Sequence, residues 1–153
     1  MDSPAVAARA HAALLARGET VACAESLTGG AVADLLSATP GASATFVGAV
    51  VSYATRVKRE LLGVTAAQVV SADSASQMAV GVRDLLGTDW ALATTGVAGP
   101  EEQDDRPVGT VYVAVAGPRG VQVHRLALSG DRPGIRAAAS GAAVQALLDE
   151  LDR

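Results

Sequence analysis

Of the 12 basic side chains in this 153-residue sequence, 11 are arginine and one, Lys58, is lysine. A guanidinium stays protonated in a protein, whereas a lysine amine titrates when its surroundings disfavour the charge. A neutral amine is a base for a hydroxyl nucleophile. Lys58 lies in VVSYATRVKRELLG (50–63), where a strand-like run gives way to a helical one. Arg56 and Arg59 flank it, and both nearby cations and a helix N-terminus disfavour an ammonium there. Tyr53, five residues earlier, offers a phenol to orient the amine or relay a proton. A serine nucleophile would complete the set, and two serines stand at turns that enter helical segments. They are Ser26 in AESLTGG and Ser43 in TPGAS. Such turns present backbone N–H groups to an oxyanion, although ordinary helix capping places serines there too.

Two glycine-rich turns read as ligand surfaces. SLTGG supplies Ser26, Thr28, Gly29 and Gly30, and TTGVAGP (94–100) supplies Thr95, Gly96 and Gly99. Each follows an apolar run, so its amides suit a phosphate or sugar. Neither matches GxGxxG or the P-loop pattern. In SGDRPGIR (129–136), Arg132 and Arg136 lie one helical turn apart and suit one phosphate. His11 and His124 have no second ligand at metal spacing, so no metal or other cofactor is expected. They also leave a Ser-His-Asp triad hard to assemble. Asp104 and Asp105 read as a solvated acidic loop.

These residues need a scaffold, and the composition supplies one. Half the residues are apolar, 18% are charged and only 3% are aromatic, so the core is built of Ala, Val and Leu. A net charge of −4 with no basic run disfavours a nucleic-acid partner. A single cysteine, Cys23, allows no internal disulfide and fits a reducing cytosol. No signal peptide and no membrane-length apolar run are read, so a cytoplasmic protein without a membrane partner is expected.

The periodicity predicts helices over 4–17, 29–37, 55–63, 74–86 and 132–152, the fourth capped by Asp73 or Ser74. TAAQ (65–68) has capping-box spacing. Strands are predicted over 20–25, 47–54 and 90–99, followed by two strands joined through GPRG as a hairpin. Strand–helix alternation with a late hairpin predicts one α/β domain over 1–153, a three-layer α/β/α sandwich with a mixed sheet.

Seven motifs then occur in order: AESLTGG, PGAS before Phe46, VVSYATRVK, LLGV, TTGVAGP, RPVGTV and SGDR. Together they resemble the CinA C-terminal family, the nicotinamide-nucleotide amidohydrolases, over about residues 5–150. Larger members carry a further N-terminal domain, so this chain resembles the stand-alone form. The resemblance implies hydrolysis of nicotinamide mononucleotide to nicotinate mononucleotide and ammonia, as in pyridine nucleotide recycling, by a metal-free Ser/Lys mechanism. By motif position, Ser43 would be the nucleophile, Lys58 the general base and Tyr53 the assistant. Ser26, Thr28, the glycines and Thr95 would line the pocket, and Arg132 would meet the phosphate. A homo-oligomer is expected for a small enzyme of this kind. The chain departs from the family pattern at Thr55, at Glu101-Glu102 and at Arg106, where members usually carry Asn, Gly-Gly and Lys. Carboxylates beside a phosphate would oppose its binding, so the rival reading is a regulatory or partner-binding nucleotide module with weak or no turnover.

Overall fold

A computed structural model describes residues 1–153. The elements run α1 (Ser3–Arg17), β1 (Val21–Glu25), α2 (Ala31–Ser37), a 3-10 turn (Ala42–Ala44), β2 (Phe46–Val51), α3 (Thr55–Leu62), α4 (Ala72–Leu86), β3 (Trp90–Gly96), β4 (Thr110–Gly117), β5 (Gly120–Ala127) and α5 (Arg132–Leu151). The five strands form one sheet in the order β2-β1-β3-β4-β5. β1 is parallel to β2 and β3, while β4 runs antiparallel to β3 and to β5, so the sheet is mixed. Helices cover both faces, as expected.

Local chemistry sets the helix ends. The carboxylate of Asp2 accepts from the Ala5 amide and starts α1, and Asp131 does the same for α5 through Gly134. Gly18 ends α1 at φ 65°, a left-handed conformation that glycine adopts without strain. Four expected boundaries are corrected. α4 starts at Ala72 because Ser71, not Asp73 or Ser74, caps it by accepting from the Ser74 amide. TAAQ is not a helix start, because Gln77 reaches back from α4 and its Oε1 accepts from the amides of Thr65 and Ala66. β2 stops at Val51 rather than 54, and β3 at Gly96 rather than 99.

Alternation along the central strands divides the core by residue size. Val21, Cys23, Trp90, Leu92, Val111, Val113 and Val115 face α1, α2 and α5. Ala22, Ala24, Ala91, Ala93, Ala114 and Ala116 face α4, with Tyr112 the one large strand residue buried on that side. Small side chains on that face let α4 lie close to the sheet. α3 in turn lies close to α4 at Gly81, where a Cβ would stand 2.1 Å from the Leu62 carbonyl oxygen. This layering holds α3, and with it Lys58, against α4.

From β1 the chain steps outward to β2, then returns through α3 and α4 past β1 to β3. Connections on either side of β1 therefore diverge at the carboxyl ends of β1 and β3. Open α/β sheets bind ligands in the crevice at such a switch point.

Candidate active site

A polar pocket occupies that crevice. Ser26 and Leu27 line it from the β1 loop, and residues 96–99 line it from the β3 loop. Tyr53, Glu101, Gln103 and Arg132 close its sides. Arg132, at the first position of α5, donates to the Gly99 carbonyl at 2.7 Å and to the Tyr53 hydroxyl at 2.7 Å. Its guanidinium thus joins the β3 loop to the segment after β2 and puts a fixed positive charge on the pocket wall.

Lys58 sits behind that wall, 2% exposed. Its Nζ donates to the carbonyls of Ser52 at 2.6 Å and Tyr53 at 3.2 Å. Ser52 is itself fixed to β1, donating its backbone N–H and its hydroxyl to the Glu25 carbonyl at 2.7 Å and 3.1 Å. Burial pulls the Lys58 amine down to about 8 from 10.5, and the negative charge of Asp104 opposes the shift. A neutral amine has two N–H donors and one lone pair. The two carbonyls occupy both donors, which leaves the lone pair to receive a proton.

The β1 loop rests on Glu25, which is fully buried. Its Oε1 accepts from the amides of Gly30 and Val32, and its Oε2 from Ala33. These are the first amides of α2, so its N-terminus already holds a carboxylate and Gly30 presents no free amide to a ligand. Thr28 is buried and hydrogen-bonds Thr94 at 2.8 Å. Thr95 is buried and donates to the Val69 carbonyl at 2.6 Å. Arg136 donates to the carbonyls of Leu27 and Thr28 and packs under Gly29, where a Cβ would stand 2.9 Å from its Nη2. These five residues were expected to line the substrate pocket; none lines this one, and they brace the loops that form it. Of the two arginines, Arg132 faces the pocket.

Ser43 is not in this pocket. It lies exposed in the 3-10 turn that precedes β2, whereas Tyr53 follows β2. The strand between them spans roughly 20 Å. At the Ser43 end, the neighbouring polar contact is His11 Nδ1 with Thr45 Oγ1 at 2.7 Å. Within one chain, then, the structure brings together Ser26, Tyr53, Lys58, Gly96, Gly99 and Arg132, and separates Ser43 from them.

Sequence reasoning passed over Glu25 and Ser52, and it read Asp104 as solvated. Asp104 Oδ2 instead accepts from the Val70 amide at 3.0 Å, and its charge acts on Lys58. The signal for Glu25 was its place at the end of an apolar strand with glycines following. Cys23 is buried, and burial with the adjacent Glu25 carboxylate pushes its thiol well above its ordinary range. It is not a nucleophile. No group of three or more His, Cys, Asp or Glu gathers anywhere to hold a metal ion, and no helix is long and apolar enough to cross a membrane.

The family model for the CinA C-terminal domain matches residues 4–151. The chain belongs to the CinA C-terminal domain family. It is 52% identical over 128 residues to a CinA-like protein of Frankia casuarinae, covering 80% of this chain and 30% of that one. A CinA-like protein of Synechocystis sp. is 46% identical over 139 residues, or 87% of this chain and 33% of that one. The chain thus spans about a third of the length of these curated relatives. A crystal structure of a competence-damaged protein (CinA) superfamily protein from Klebsiella pneumoniae superposes with a TM-score of 0.94 at 33% identity, covering 99% of each chain. The competence/damage inducible protein CihA from Agrobacterium tumefaciens gives 0.94 at 32% identity, covering 100% of this chain and 97% of that one.

Proposed function

We propose that this CinA-family chain is an amidohydrolase that converts nicotinamide mononucleotide to nicotinate mononucleotide and ammonia by serine–lysine chemistry. The observation that carries the reading is Lys58. It is the sole lysine, it is buried against the pocket wall, and its hydrogen bonds to two carbonyls leave a lone pair open whenever the amine is neutral. At pH 7 an amine of pKa about 8 is neutral in about one molecule in ten, against fewer than one in a thousand for an ordinary lysine.

A serine hydroxyl attacks the carboxamide carbon, and its proton passes to Lys58. The tetrahedral intermediate collapses with cleavage of the C–N bond, and Lys58 returns the proton to the departing nitrogen, releasing ammonia. Water then attacks the acyl ester. It gives one proton to Lys58, which passes it to the serine oxygen, and the carboxylate product leaves. Arg132 pairs with the nucleotide phosphate, and the Tyr53 hydroxyl, held by Arg132, orients the substrate at the wall. By its place in the pocket Ser26 is a candidate nucleophile, and by its motif so is Ser43. An activity-based acyl or fluorophosphonate adduct, mapped by mass spectrometry, separates them.

Ammonia release from nicotinamide mononucleotide tests the reading. Wild type turns over, and Lys58→Met loses at least about a hundredfold in kcat, the scale of a lost general base. Wild-type rates in Lys58→Met would sink it. Glu101 on the pocket rim favours a second reading, a nucleotide-binding module without turnover. That module would be stabilised by the nucleotide and release no ammonia.

A further inference from the structure

Lys58 is held by backbone that belongs to no strand or helix. β2 ends at Val51, which pairs with Glu25 at the end of β1. The two carbonyls that accept from the amine come from the next two residues, Ser52 and Tyr53. A reacting side chain is placed no better than the groups that support it. Each of these two residues therefore needs a tie of its own.

Tyr53 has its tie in Arg132, which donates to its hydroxyl at 2.7 Å. Ser52 is fully buried, and both of its donors go to one atom. Its backbone N–H at 2.7 Å and its hydroxyl at 3.1 Å reach the Glu25 carbonyl oxygen. That oxygen has two lone pairs, and Ser52 takes both. The peptide that begins at this carbonyl ends at the Ser26 N–H, which donates to the Thr94 carbonyl on β3 at 3.1 Å. One peptide plane is thus pinned between Ser52 and β3, and the residue leaving it, Ser26, lines the pocket. On its other side Ser52 offers its carbonyl to Lys58 Nζ at 2.6 Å, the shorter of the amine's two bonds.

The backbone N–H of Ser52 would continue the ladder whatever side chain stood there. Burying a hydroxyl costs free energy that a methyl does not. What the hydroxyl adds is a second attachment to the same oxygen, which stops residue 52 from turning about the first. We infer that Ser52 is a positioning residue, whose hydroxyl on the Glu25 carbonyl sets the spacing between the Lys58 amine and Ser26. Its effect on turnover rests on the amidohydrolase reading above, whereas the tie itself does not. The hydroxyl touches no substrate and moves no proton. Proton transfer from a serine needs the base within about 3 Å, and a misplacement of about 1 Å costs on the order of a hundredfold. With the ladder bond still in place, loss of the hydroxyl is expected to cost less, about tenfold in kcat. Arg132 and the pocket rim hold the substrate independently of Ser52, so KM should stay within about twofold.

Ammonia release from nicotinamide mononucleotide by wild type, Ser52→Ala, Ser52→Thr and Ser52→Val tests the role, with each rate taken per folded molecule from urea unfolding. Thr and Val are both β-branched and differ at this site in the hydroxyl, so crowding by the added methyl is common to the two. Ser52→Ala is expected to lose about tenfold in kcat with KM within about twofold of wild type, and Ser52→Thr to exceed Ser52→Val by about tenfold in kcat. A hydroxyl that only stabilised the fold would lower the urea midpoints of Ser52→Ala and Ser52→Val and leave kcat per folded molecule unchanged.

That result, or equal kcat in the Thr and Val variants, overturns the positioning role and leaves the amidohydrolase reading standing. An acyl adduct mapped to Ser43 also overturns it, because Ser52 is tied to the turn that carries Ser26. A wild type that releases no ammonia overturns the amidohydrolase reading and this role together.

Discussion

β5 closes one edge of the sheet with Gln122, His124 and Arg125 among its eight residues, whereas β2 closes the other with six residues and no polar side chain. The contrast extends inward. The antiparallel half pairs β4 with β5 in unbroken register over eight residue pairs and buries little besides Ala, Val and Tyr112. The parallel half buries Glu25, Thr28, Ser52, Lys58, Thr94 and Thr95 in and around three short strands. Apolar burial stabilises in proportion to area, whereas buried polar groups must be matched one by one. Both halves bury apolar side chains, and the parallel half in addition holds polar atoms where water is scarce.

The comparison is broken most severely at Glu25. Glu25→Ala leaves the amides of Gly30, Val32 and Ala33 unpaired and is expected to cost about 3–5 kcal/mol of stability. Tyr112→Phe, in the antiparallel half, is expected to cost under about 1 kcal/mol. Urea midpoints of the two variants check the difference.

Acidity separates the halves next. Turnover should rise with pH through about 8 and then level, as Lys58 becomes a neutral base. Asp104 holds the Lys58 value up, so Asp104→Asn should move that rise to lower pH, with the Val70 amide still bonded by the Asn oxygen. Stability follows the same group. The folded value, about 8, lies below the unfolded one, 10.5. Between these values the unfolded chain binds more protons, so stability rises with pH across that window, and below it the full burial penalty is present. Lys58→Met should flatten the slope, which titrated urea midpoints measure. The smallest effect belongs to Glu101 on the exposed rim. Glu101→Gln should lower KM for the nucleotide by about two- to fivefold without changing kcat.

Much of this was legible in the residues. Gly18 and Pro133 mark helix ends by their own chemistry, and the hairpin follows from GPRG between two β-rich runs. Ser26, Tyr53, Gly96, Gly99 and Arg132 are pocket residues in sequence and structure alike. What did not follow was how much of each glycine-rich turn is bracing. Whether the Gly30 amide is free depends on where the Glu25 side chain points, and that is a tertiary fact. Ser43 carries a different lesson. Residues on either side of a strand lie at its opposite ends, so being ten positions from Tyr53 with β2 between them already implied distance. Proximity in a motif list is not proximity in space.

The unequal faces of the sheet set opposite limits on how this core can drift. Against α1, α2 and α5 the strands present Val, Leu and Trp, where trimming a side chain opens a void. Against α4 they present alanines apart from Tyr112 on β4, so at the alanine positions there is little left to trim and an added methylene pushes the helix outward. Since α4 is the shelf on which α3 rests at Gly81, growth on the alanine face would be felt at Lys58 before it was felt as unfolding. That face is a gauge block: its thickness sets the seat of Lys58.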